Sequence, residues 1–446
     1  MKTIAVFILF GFLTLNVAAQ QDSVSGNNPK VEQIKKGWTF GGLPILSFDS
    51  DLGMQLGALA GIYNYGDGSR YPMYDHYIYL EASFYTKGSA LFRFYYDSDR
   101  LIKNIRVTAD VTYLPDPHYD FLGFNGYESV YNTDWEEDST QIFYEVNRKM
   151  FRTMLNFQGK LFPNGFKWIG GVDFYNLNYD NVDVERLNRN NDGDDVIPSV
   201  DSMPGLYERY KQWGLIGKDE AQGGLFTAVK AGLILDTRDN EPNPTQGLFT
   251  EVIFAGAPKF LSTMNTGFLK LSVIHRQYFS LIKQRLIFAY RLGFQATIAG
   301  TAPWYAENIL YPTYLRGASS EGLGGSKTIR GIIRNRVVGD GIGYGNFEFR
   351  WKIWKTVFMR QNIYFALSGF FDSGRVLVPM KEEEIDKLPA DVKNKYFTDK
   401  ESFHNTLGGG FHIAMNENFM VSVDMGKALD KRDGNMGLYI GLGFLF

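Results

Sequence analysis

An alternation of apolar and polar residues with period two runs through most of the chain and limits its fold most strongly. In Asn104–Tyr113, every second residue from Ile105 onward is apolar or aromatic, and the residues between are Arg, Thr and Asp. Successive side chains of a β-strand point to opposite faces, so this pattern predicts strands with one apolar and one polar face. The pattern recurs in Tyr77–Tyr85, Arg285–Thr297 and Phe419–Met425. We therefore predict an all-β fold.

The start of the sequence has the features of an export signal. Lys2 precedes an apolar segment, Ile4–Leu15, which is followed by small residues ending at Ala19. This order of a basic residue, an apolar core and small residues is what signal peptidase recognises. We expect residues 1–19 to be a signal peptide and residues 20–36 to be a short periplasmic tether.

Beyond the signal, no stretch reaches the ~18 consecutive apolar residues of a transmembrane helix. A chain that spans a membrane with strands must close into a barrel, because lipid cannot satisfy open strand edges. A soluble sandwich would alternate too, but two features favour the barrel. Aromatic residues such as Tyr63, Tyr95 and Trp351 lie near predicted strand ends, as the outer aromatic belts at the membrane interfaces require. The connections also alternate between short and long.

The predicted domain over residues 37–446 is a transmembrane antiparallel β-barrel of about 16 strands, with both ends on the periplasmic side. The segment 142–161 is either one strand or two, and the last strand is predicted to be 436–446. The expected location is the bacterial outer membrane, as an integral protein in contact with its lipid.

Composition excludes several functions. The chain has no Cys, so disulfides, zinc–thiolate sites and a Cys nucleophile are ruled out. The net charge of −3 indicates no nucleic-acid partner. Neither a metal-binding HExxH pattern nor a G-x-S-x-G motif occurs, so we expect no metal, no cofactor and no enzymatic activity. A hydrolase assembled from dispersed lumenal His, Asp and Ser residues stays an alternative, because catalytic triads are defined in space.

Four short motifs occupy definite places among the predicted strands. They are Asp236-Thr237-Arg238-Asp239 followed by Pro242, Pro244 and Gly247, between strands eight and nine; Ile329-Arg330-Gly331, in the long loop between strands eleven and twelve; Phe370-Phe371-Asp372-Ser373-Gly374, on strand thirteen; and Tyr439, Gly441, Phe444 and Phe446, at the end. In their order and positions these motifs resemble those of the bacterial surface-antigen barrels of the BamA/TamA type. Ile332 departs from the family pattern, which has Phe or Tyr after Arg-Gly.

The resemblance implies a long loop folded into the lumen, with Arg330 and Gly331 at its tip, and a C-terminal assembly signal. Parity along the strands places Glu348 and Asp372 on one inner wall, where a guanidinium could satisfy both carboxylates. We expect Arg330 to bridge them. Spacing alone favours a solvated extracellular loop for Arg330, and the motif match reverses that preference.

The first and last predicted strands are rich in residues that weaken a β-ladder. The first contains Gly41, Gly42 and Pro44, and the last contains Gly437, Gly441 and Gly443. Pro cannot donate to the ladder, and Gly costs entropy and packing. The seam between these strands is thus expected to be the weakest junction, which matches the lateral gate that the resemblance implies. Small residues beside a packed loop are an equally good explanation. A cysteine pair at 42 and 441 is expected to lock the seam.

These features lead to three functional hypotheses. The resemblance favours insertion or assembly of outer-membrane components, with an incoming β-segment pairing at the opened seam. Family members usually carry polypeptide-transport-associated domains before the barrel, whereas the seventeen residues Gln20–Lys36 cannot bury a core. Periplasmic or lipoprotein subunits would then capture the clients, which are expected to be nascent outer-membrane proteins. The alternatives are a passive pore and a structural subunit of an envelope complex.

Overall fold

The computed structural model describes residues 34–446, except 72, 139, 194–195, 242, 284, 314–320, 359–360 and 416–418. The predicted signal peptide at 1–19 and nearly all of the predicted tether lie outside the described residues. Within the described part, sixteen antiparallel strands form one closed barrel in which neighbours in sequence pair and β1 pairs with β16. The strands are β1 Trp38–Asp49, β2 Gly53–Asn64, β3 His76–Tyr85, β4 Ala90–Ile102, β5 Ile105–Asp120, β6 Glu145–Lys160, β7 Phe166–Asp180, β8 Gly223–Asp236, β9 Gly247–Ala257, β10 Phe268–Ile282, β11 Leu286–Gly300, β12 Gly341–Phe358, β13 Gln361–Val378, β14 His404–Met415, β15 Phe419–Ala428 and β16 Met436–Leu442.

The barrel confirms the predicted fold class and strand number. The segment 142–161, which was compatible with one strand or two, is the single strand β6. Among the described residues, α-helices are short and occur only in the connections between strands. They are α1 Asp134–Asp138, α2 Val184–Leu187, α3 Leu206–Gln212, α4 Trp304–Glu307, α5 Glu382–Asp386 and α6 Ala390–Tyr396. In the described part of the chain, none of these helices has the length and apolarity needed to cross a membrane.

Alternation separates an apolar outer face from a polar inner face. On β4, Phe92 and Phe94 point outward and are exposed, whereas Arg93 between them points inward and pairs with Asp110 of β5 at 2.6 Å. The prediction that Tyr63 and Tyr95 form part of an outer aromatic belt was wrong. Tyr95 shares the parity of Arg93 and is buried, and Tyr63 stacks on Tyr77 with ring centroids 4.6 Å apart. Trp351 does lie exposed on the outer face.

The four longest connections, 121–144, 181–222, 301–340 and 379–403, emerge at one end of the barrel, which we call the loop end. Their aromatic side chains share one buried core. Phe121 packs edge-to-face on Tyr210 at 5.1 Å and on Trp304 at 5.6 Å, so it joins three of the connections. We call this assembly of loops the cap.

Hydrogen bonds between opposite walls hold the cap together. Asn125 follows β5 and Met380 follows β13, and these strands stand eight positions apart in a barrel of sixteen. The Asn125 side chain donates to Met380 O at 3.0 Å, and its Oδ1 accepts from Met380 N at 2.8 Å. Asn125 N also donates to Val338 O in the 301–340 loop at 2.7 Å. Asn125 has φ +64°, a left-handed conformation that Asn tolerates better than most residues.

The last strand is shorter than predicted. The sequence indicated a strand over 436–446, but β16 ends at Leu442. Gly443 has φ +81°, which turns the chain out of the strand, and Ser422 Oγ donates to Gly443 O at 2.9 Å. The four residues Gly443–Phe446, called here the tail, run into the lumen, where Phe446 is buried. Alternation could not predict this turn, because the apolar tail residues suit a lipid-facing strand equally well.

Candidate functional site

Arg330 lies in the lumen against the inner wall formed by β12 and β13. Its Nε and Nη2 donate to the two oxygens of Asp372 at 2.9 and 3.1 Å, and its Nη1 donates to Glu348 Oε2 at 3.0 Å. The backbone N–H of Arg330 also donates to Asp372 Oδ2, at 3.1 Å. The guanidinium stacks on the ring of Phe370 at 3.4 Å, and Asp424 stands 3.8 Å away. We call Arg330, Glu348 and Asp372 the lock.

The lock is a buried charge cluster. Arg330, Glu348 and Asp372 are each at most 1% exposed. Burial alone lowers the pKa of Arg330, but the facing carboxylates of Asp372 and Glu348 outweigh it, and the pKa rises above its ordinary value. Removing one member of a buried ion pair typically costs about 3–5 kcal/mol, because a charge is left without a partner.

Two glycines let the loop backbone touch the barrel wall beside the lock. Gly331 has φ +95°, and a Cβ on it would lie 2.5 Å from the carbonyl carbon of Gly426 on β15. A Cβ on Gly426 would in turn lie 2.5 Å from Arg330 O. The N–H of Gly331 donates to Tyr439 Oη on β16 at 3.0 Å. The loop tip therefore contacts both of the last two strands. Ile332, the departure from the family pattern, is buried in an apolar cluster behind it.

The 301–340 loop is also fixed to the opposite wall. Arg334 Nη1 donates to Asp116 of β5 at 2.8 Å, and Glu321 pairs with Arg148 of β6. Arg336 Nη1 donates to the carbonyl of Gly126 at 2.7 Å, which ties the loop to the connection 121–144. The loop therefore crosses the lumen from β5 and β6 to β13 and β16, with ion pairs or hydrogen bonds at Glu321, Arg330, Arg334 and Arg336.

The junction of β1 with β16 is short. Its ladder contains two residue pairs among the described residues, Phe48 with Ile440 and Asp49 with Tyr439. By contrast, β1 pairs with β2 along its whole length. The ten residues Trp38–Ser47 thus present an edge to β16 that no ladder of the described residues covers. This edge contains Gly41, Gly42 and Pro44, which the sequence had singled out.

The register corrects the cysteine pair expected to lock the seam. Because Phe48 stands opposite Ile440, continuing the ladder puts Gly441 opposite Ser47, five residues from Gly42. Five residues of strand span roughly 17 Å. A disulfide needs Cα atoms within about 7 Å, so cysteines at 42 and 441 cannot meet there.

The structural constraints that favour Gly differ among the seam positions. A Cβ on Gly41, Gly441 or Gly443 would meet nothing within 4 Å, so close packing does not require Gly at these positions. Gly443 adopts a positive φ, which turns the chain out of β16. Gly437 lies under the ring of Tyr439, where a Cβ would be within 2.6 Å of the ring carbon that bears the hydroxyl. Gly437 thus leaves room for the side chain that reaches the loop tip.

The turn motif between β8 and β9 forms a self-contained structure. Arg238 Nε and Nη2 donate to the two oxygens of Asp236 at 2.9 and 3.0 Å, a bidentate pair. Asp239 Oδ1 accepts from the N–H of Thr245 at 2.9 Å and from that of Gln246 at 3.2 Å. Pro242 lies outside the described residues. The two carboxylates therefore organise the turn, and neither is directed at the lock.

Beyond this motif, the same turn reaches distant walls of the barrel. Glu241 Oε2 lies 3.3 Å from Arg106 Nη1 of β5, and Asn243 Nδ2 donates to Tyr364 Oη of β13 at 2.7 Å. Asn243 and Tyr364 are both buried. The turn thus lies across part of the end of the barrel at which β1 begins and β16 ends.

Three lumenal residues resemble a catalytic triad in composition but not in geometry. Ser368 Oγ lies 2.9 Å from His412 Nε2, and Asp424 Oδ1 lies 3.7 Å from the same nitrogen. In a Ser-His-Asp relay the acid must contact the other ring nitrogen. His412 Nδ1 has no hydrogen-bond partner in the described part of the chain. These residues therefore form no proton relay. The described residues also contain no group of three His, Asp or Glu side chains positioned to hold a metal ion.

Sequence reasoning missed several residues of the site. Arg350 lies on the same inner face as Glu348, but nothing in the strand pattern indicated its contact with the tail. Asp424, Gly426 and Asn125 were not singled out, because they contact segments far away in sequence. A search for inward-facing charges two residues from Glu348 would have found Arg350.

Comparisons with known proteins agree with this architecture. The Omp85 superfamily domain matches residues 90–446. BamA from Haemophilus ducreyi lacking POTRA domains 1–3 superposes with a TM-score of 0.54 and 13% identity, covering 92% of this chain and 71% of that chain. CdiB from Escherichia coli superposes with a TM-score of 0.54 and 12% identity, covering 93% of this chain and 64% of that chain. No curated protein matches the sequence.

The family match covers far more than half of the sequence, and the family is one of non-enzymatic assembly and transport barrels. It fits the closed sixteen-stranded barrel and the outer-membrane location expected from the alternation of apolar and polar residues. The chain is an integral outer-membrane β-barrel that belongs to the Omp85 superfamily.

Proposed function

We propose that this barrel inserts or assembles outer-membrane components by lending the uncovered edge of β1 to an incoming β-segment. The observation that carries the proposal is the two-pair junction between β1 and β16, which leaves Trp38–Ser47 without a ladder partner on that side among the described residues. Unpaired N–H and C=O groups in a row are a template for another strand. An added strand would gain main-chain hydrogen bonds, and in lipid no solvent competes for them.

Side chains along the edge support the same role. Phe40 and Leu46 are 77% and 71% exposed on the outer face of β1, where an incoming strand and lipid would cover them. The lock and the contact from Gly331 to Tyr439 hold the loop tip against β15 and β16. In the proposed mechanism, the loop braces the β15–β16 side of the seam while the free edge of β1 accepts the client. As the client strand extends along β1, it separates the remaining pair of Phe48 and Ile440.

The proposal includes partners that deliver clients. Periplasmic or lipoprotein subunits would capture nascent outer-membrane proteins and bring them to the end of the barrel at which β1 begins and β16 ends. Affinity purification from envelopes, with identification of the co-purifying subunits, tests this part directly. The pore hypothesis has less support, because the 301–340 loop crosses the lumen and the cap bonds the opposite walls together.

A reversible disulfide across the seam tests the mechanism. Phe48 and Ile440 stand directly opposite each other, so F48C together with I440C should form a disulfide that prevents the strands from separating. In proteoliposomes that hold the purified barrel, the oxidised variant should fold an added outer-membrane protein more slowly. The heat-dependent shift of the client on gels measures this rate, and a reductant should restore it.

A disulfide elsewhere in the same sheet serves as the control. Val172 of β7 stands opposite Val229 of β8, on the far side of the barrel from the seam, so V172C with V229C adds an equivalent cross-link. This control should leave client folding unchanged in both redox states. Equal rates for the oxidised and reduced seam variant would contradict the proposal.

A further inference from the structure

The tail occupies a defined site on the inner wall. Phe446 is buried beside Tyr278 and Ala289, and Leu445 packs against the same group. The guanidinium groups of Arg291 and Arg350 lie 5.2 and 5.0 Å from the centre of the Phe446 ring. Cations at such distances from an aromatic ring are attracted to its face. The site therefore has an apolar floor with two cations over the ring.

Arg350 contacts both Phe444 and Phe446 of the tail. Its Nη2 donates to Phe446 O at 2.8 Å, and its guanidinium lies 4.0 Å from the centre of the Phe444 ring. Phe444 also packs on His412 with ring centroids 4.7 Å apart. One buried guanidinium thus holds both aromatic residues of the tail inside the lumen.

The same side chain belongs to the lock. Arg350 Nε donates to Glu348 Oε1 at 2.9 Å, while the other oxygen of Glu348 accepts from Arg330. Glu348 therefore lies between the guanidinium of the loop tip and the guanidinium that holds the tail. A continuous chain of charge-assisted hydrogen bonds leads from Arg330 through Glu348 and Arg350 to Phe446 O.

The register defines a second position for the tail. If the chain continued straight beyond Leu442, the pairing of Phe48 with Ile440 would bring Phe444 opposite Pro44 and Phe446 opposite Gly42. Side chains alternate along a strand, so both Phe rings would then face lipid with Phe48. Leu445 would stand opposite Leu43. In this position the tail would cover residues 42–45 of the edge that β1 leaves free.

We propose that Arg350 is the positioning residue that keeps the tail in the lumen and so keeps the edge of β1 open. Through Glu348, the grip on the tail depends on the lock. Release of Arg350 lets the tail continue β16 along β1 as far as Gly42 and compete with an incoming strand. This inference rests on the proposed function for its biological role, but the two tail positions are measurable without a client.

Three cysteines in the otherwise cysteine-free chain distinguish the two positions. L445C can be bridged by a short thiol-to-thiol crosslinker either to A289C, beside which Leu445 lies in the lumen, or to L43C, which it would face at the seam. With Arg350 present, the bridge from 445 to 289 should predominate in the purified barrel. The R350Q substitution should shift the ratio towards the bridge from 445 to 43 by roughly tenfold or more, as loss of a charge-assisted hydrogen bond implies.

Matched substitutions separate positioning from general destabilisation. R152Q removes another buried lumenal Arg, which pairs with Asp110 at 3.5 Å on the far side of the barrel, and should leave the ratio unchanged. R350K keeps the charge and should shift the ratio less than R350Q. E348Q offers a second way to loosen Arg350 should R350Q fail to form a heat-resistant barrel.

Three outcomes would overturn the inference: an unchanged ratio in folded R350Q and E348Q, an equal shift in R152Q, or predominance of the bridge to position 43 with Arg350 present. An unchanged ratio together with client folding that the seam disulfide blocks would reject the role of Arg350 and leave the proposed function standing. A shifted ratio with client folding insensitive to the seam disulfide would support the role of Arg350 and reject the proposed function.

Discussion

Arg330 illustrates how much one buried side chain can determine. It satisfies two carboxylates from neighbouring strands, and its backbone carbonyl lies against Gly426 of β15. We predict that R330Q destabilises the folded barrel by about 3–5 kcal/mol, because Asp372 and Glu348 lose a buried partner. The temperature at which the barrel loses its compact mobility on gels should fall.

The matched control for this prediction is R285Q. Arg285 is exposed at a short turn, and the loss of an exposed charge usually changes stability little. An unchanged unfolding temperature in R330Q would contradict the assigned role of the lock. A similar fall in both variants would point to a general effect of lost positive charge.

A second prediction at this scale concerns pH. Asp51, in the turn after β1, lies against Gly325 of the 301–340 loop. Burial, together with the nearby Asp49 and Asp120, raises the pKa of Asp51 from 3.8 to about 8. The folded protein thus binds a proton that the unfolded chain releases near pH 4. This bound proton stabilises the folded protein fully below about pH 4. The stabilisation is lost as the pH rises through about 8, the pKa of Asp51 in the folded protein.

We therefore expect the loop to become more sensitive to protease between pH 6 and pH 9. In D51N this dependence should weaken, because the amide cannot ionise. Limited proteolysis of both proteins across this range, at constant ionic strength, measures the effect. A loop in the parent protein that becomes more resistant as the pH rises would contradict the prediction.

At the scale of elements, the loop and the barrel wall meet backbone to backbone. We predict that G426A displaces the loop tip, because the new methyl group would lie 2.5 Å from Arg330 O. Overpacking of this kind typically costs about 1–3 kcal/mol. Faster hydrogen exchange of the amides at 329–332 should report the displacement.

Gly369 on β13 provides the control for this substitution. A Cβ at Gly369 would meet nothing within 4 Å, so G369A should leave exchange in the loop unaltered. Equal exchange in G426A and the parent protein would show that the loop tip does not depend on this contact.

Alternation predicted the elements well where one face of a strand meets lipid and the other meets polar groups. It placed β12 and β13 with Glu348 and Asp372 inward, because these strands follow the two-residue period. It failed at the tail, where Phe444 and Phe446 are apolar but lie inside. It also misplaced Tyr63 and Tyr95, because Tyr suits both a lumenal cluster and an interfacial belt. Periodicity reports polarity, and the lumen of this barrel contains both kinds of surface.

At the scale of the whole molecule, the sequence indicated a barrel but not the cap. Phe121, Tyr210 and Trp304 come from three connections that have no common period, so no local pattern linked them. The family resemblance directed attention to Arg330 and its neighbours. The contacts of Asn125 with Met380 are specific to how these long loops fold together, and no motif described them.

The 301–340 loop and the hydrogen bonds across the cap should restrict the flow of ions through the barrel. We expect the intact barrel to lack a large steady conductance in planar bilayers, because the loop crosses the lumen and the cap joins opposite walls. Replacement of residues 322–338 by a short flexible linker should open a large conductance. A large steady current from the intact protein would favour the pore hypothesis instead.

The hydrogen bonds between Asn125 and Met380 also affect how extracellular binders recognise this protein. An antibody or a phage that approaches the cell encounters the connections as one composite surface, in which adjacent atoms come from distant parts of the chain. Immunogens made from single loops would present shapes that the intact surface lacks. Escape substitutions in one loop would likewise alter epitopes attributed to another.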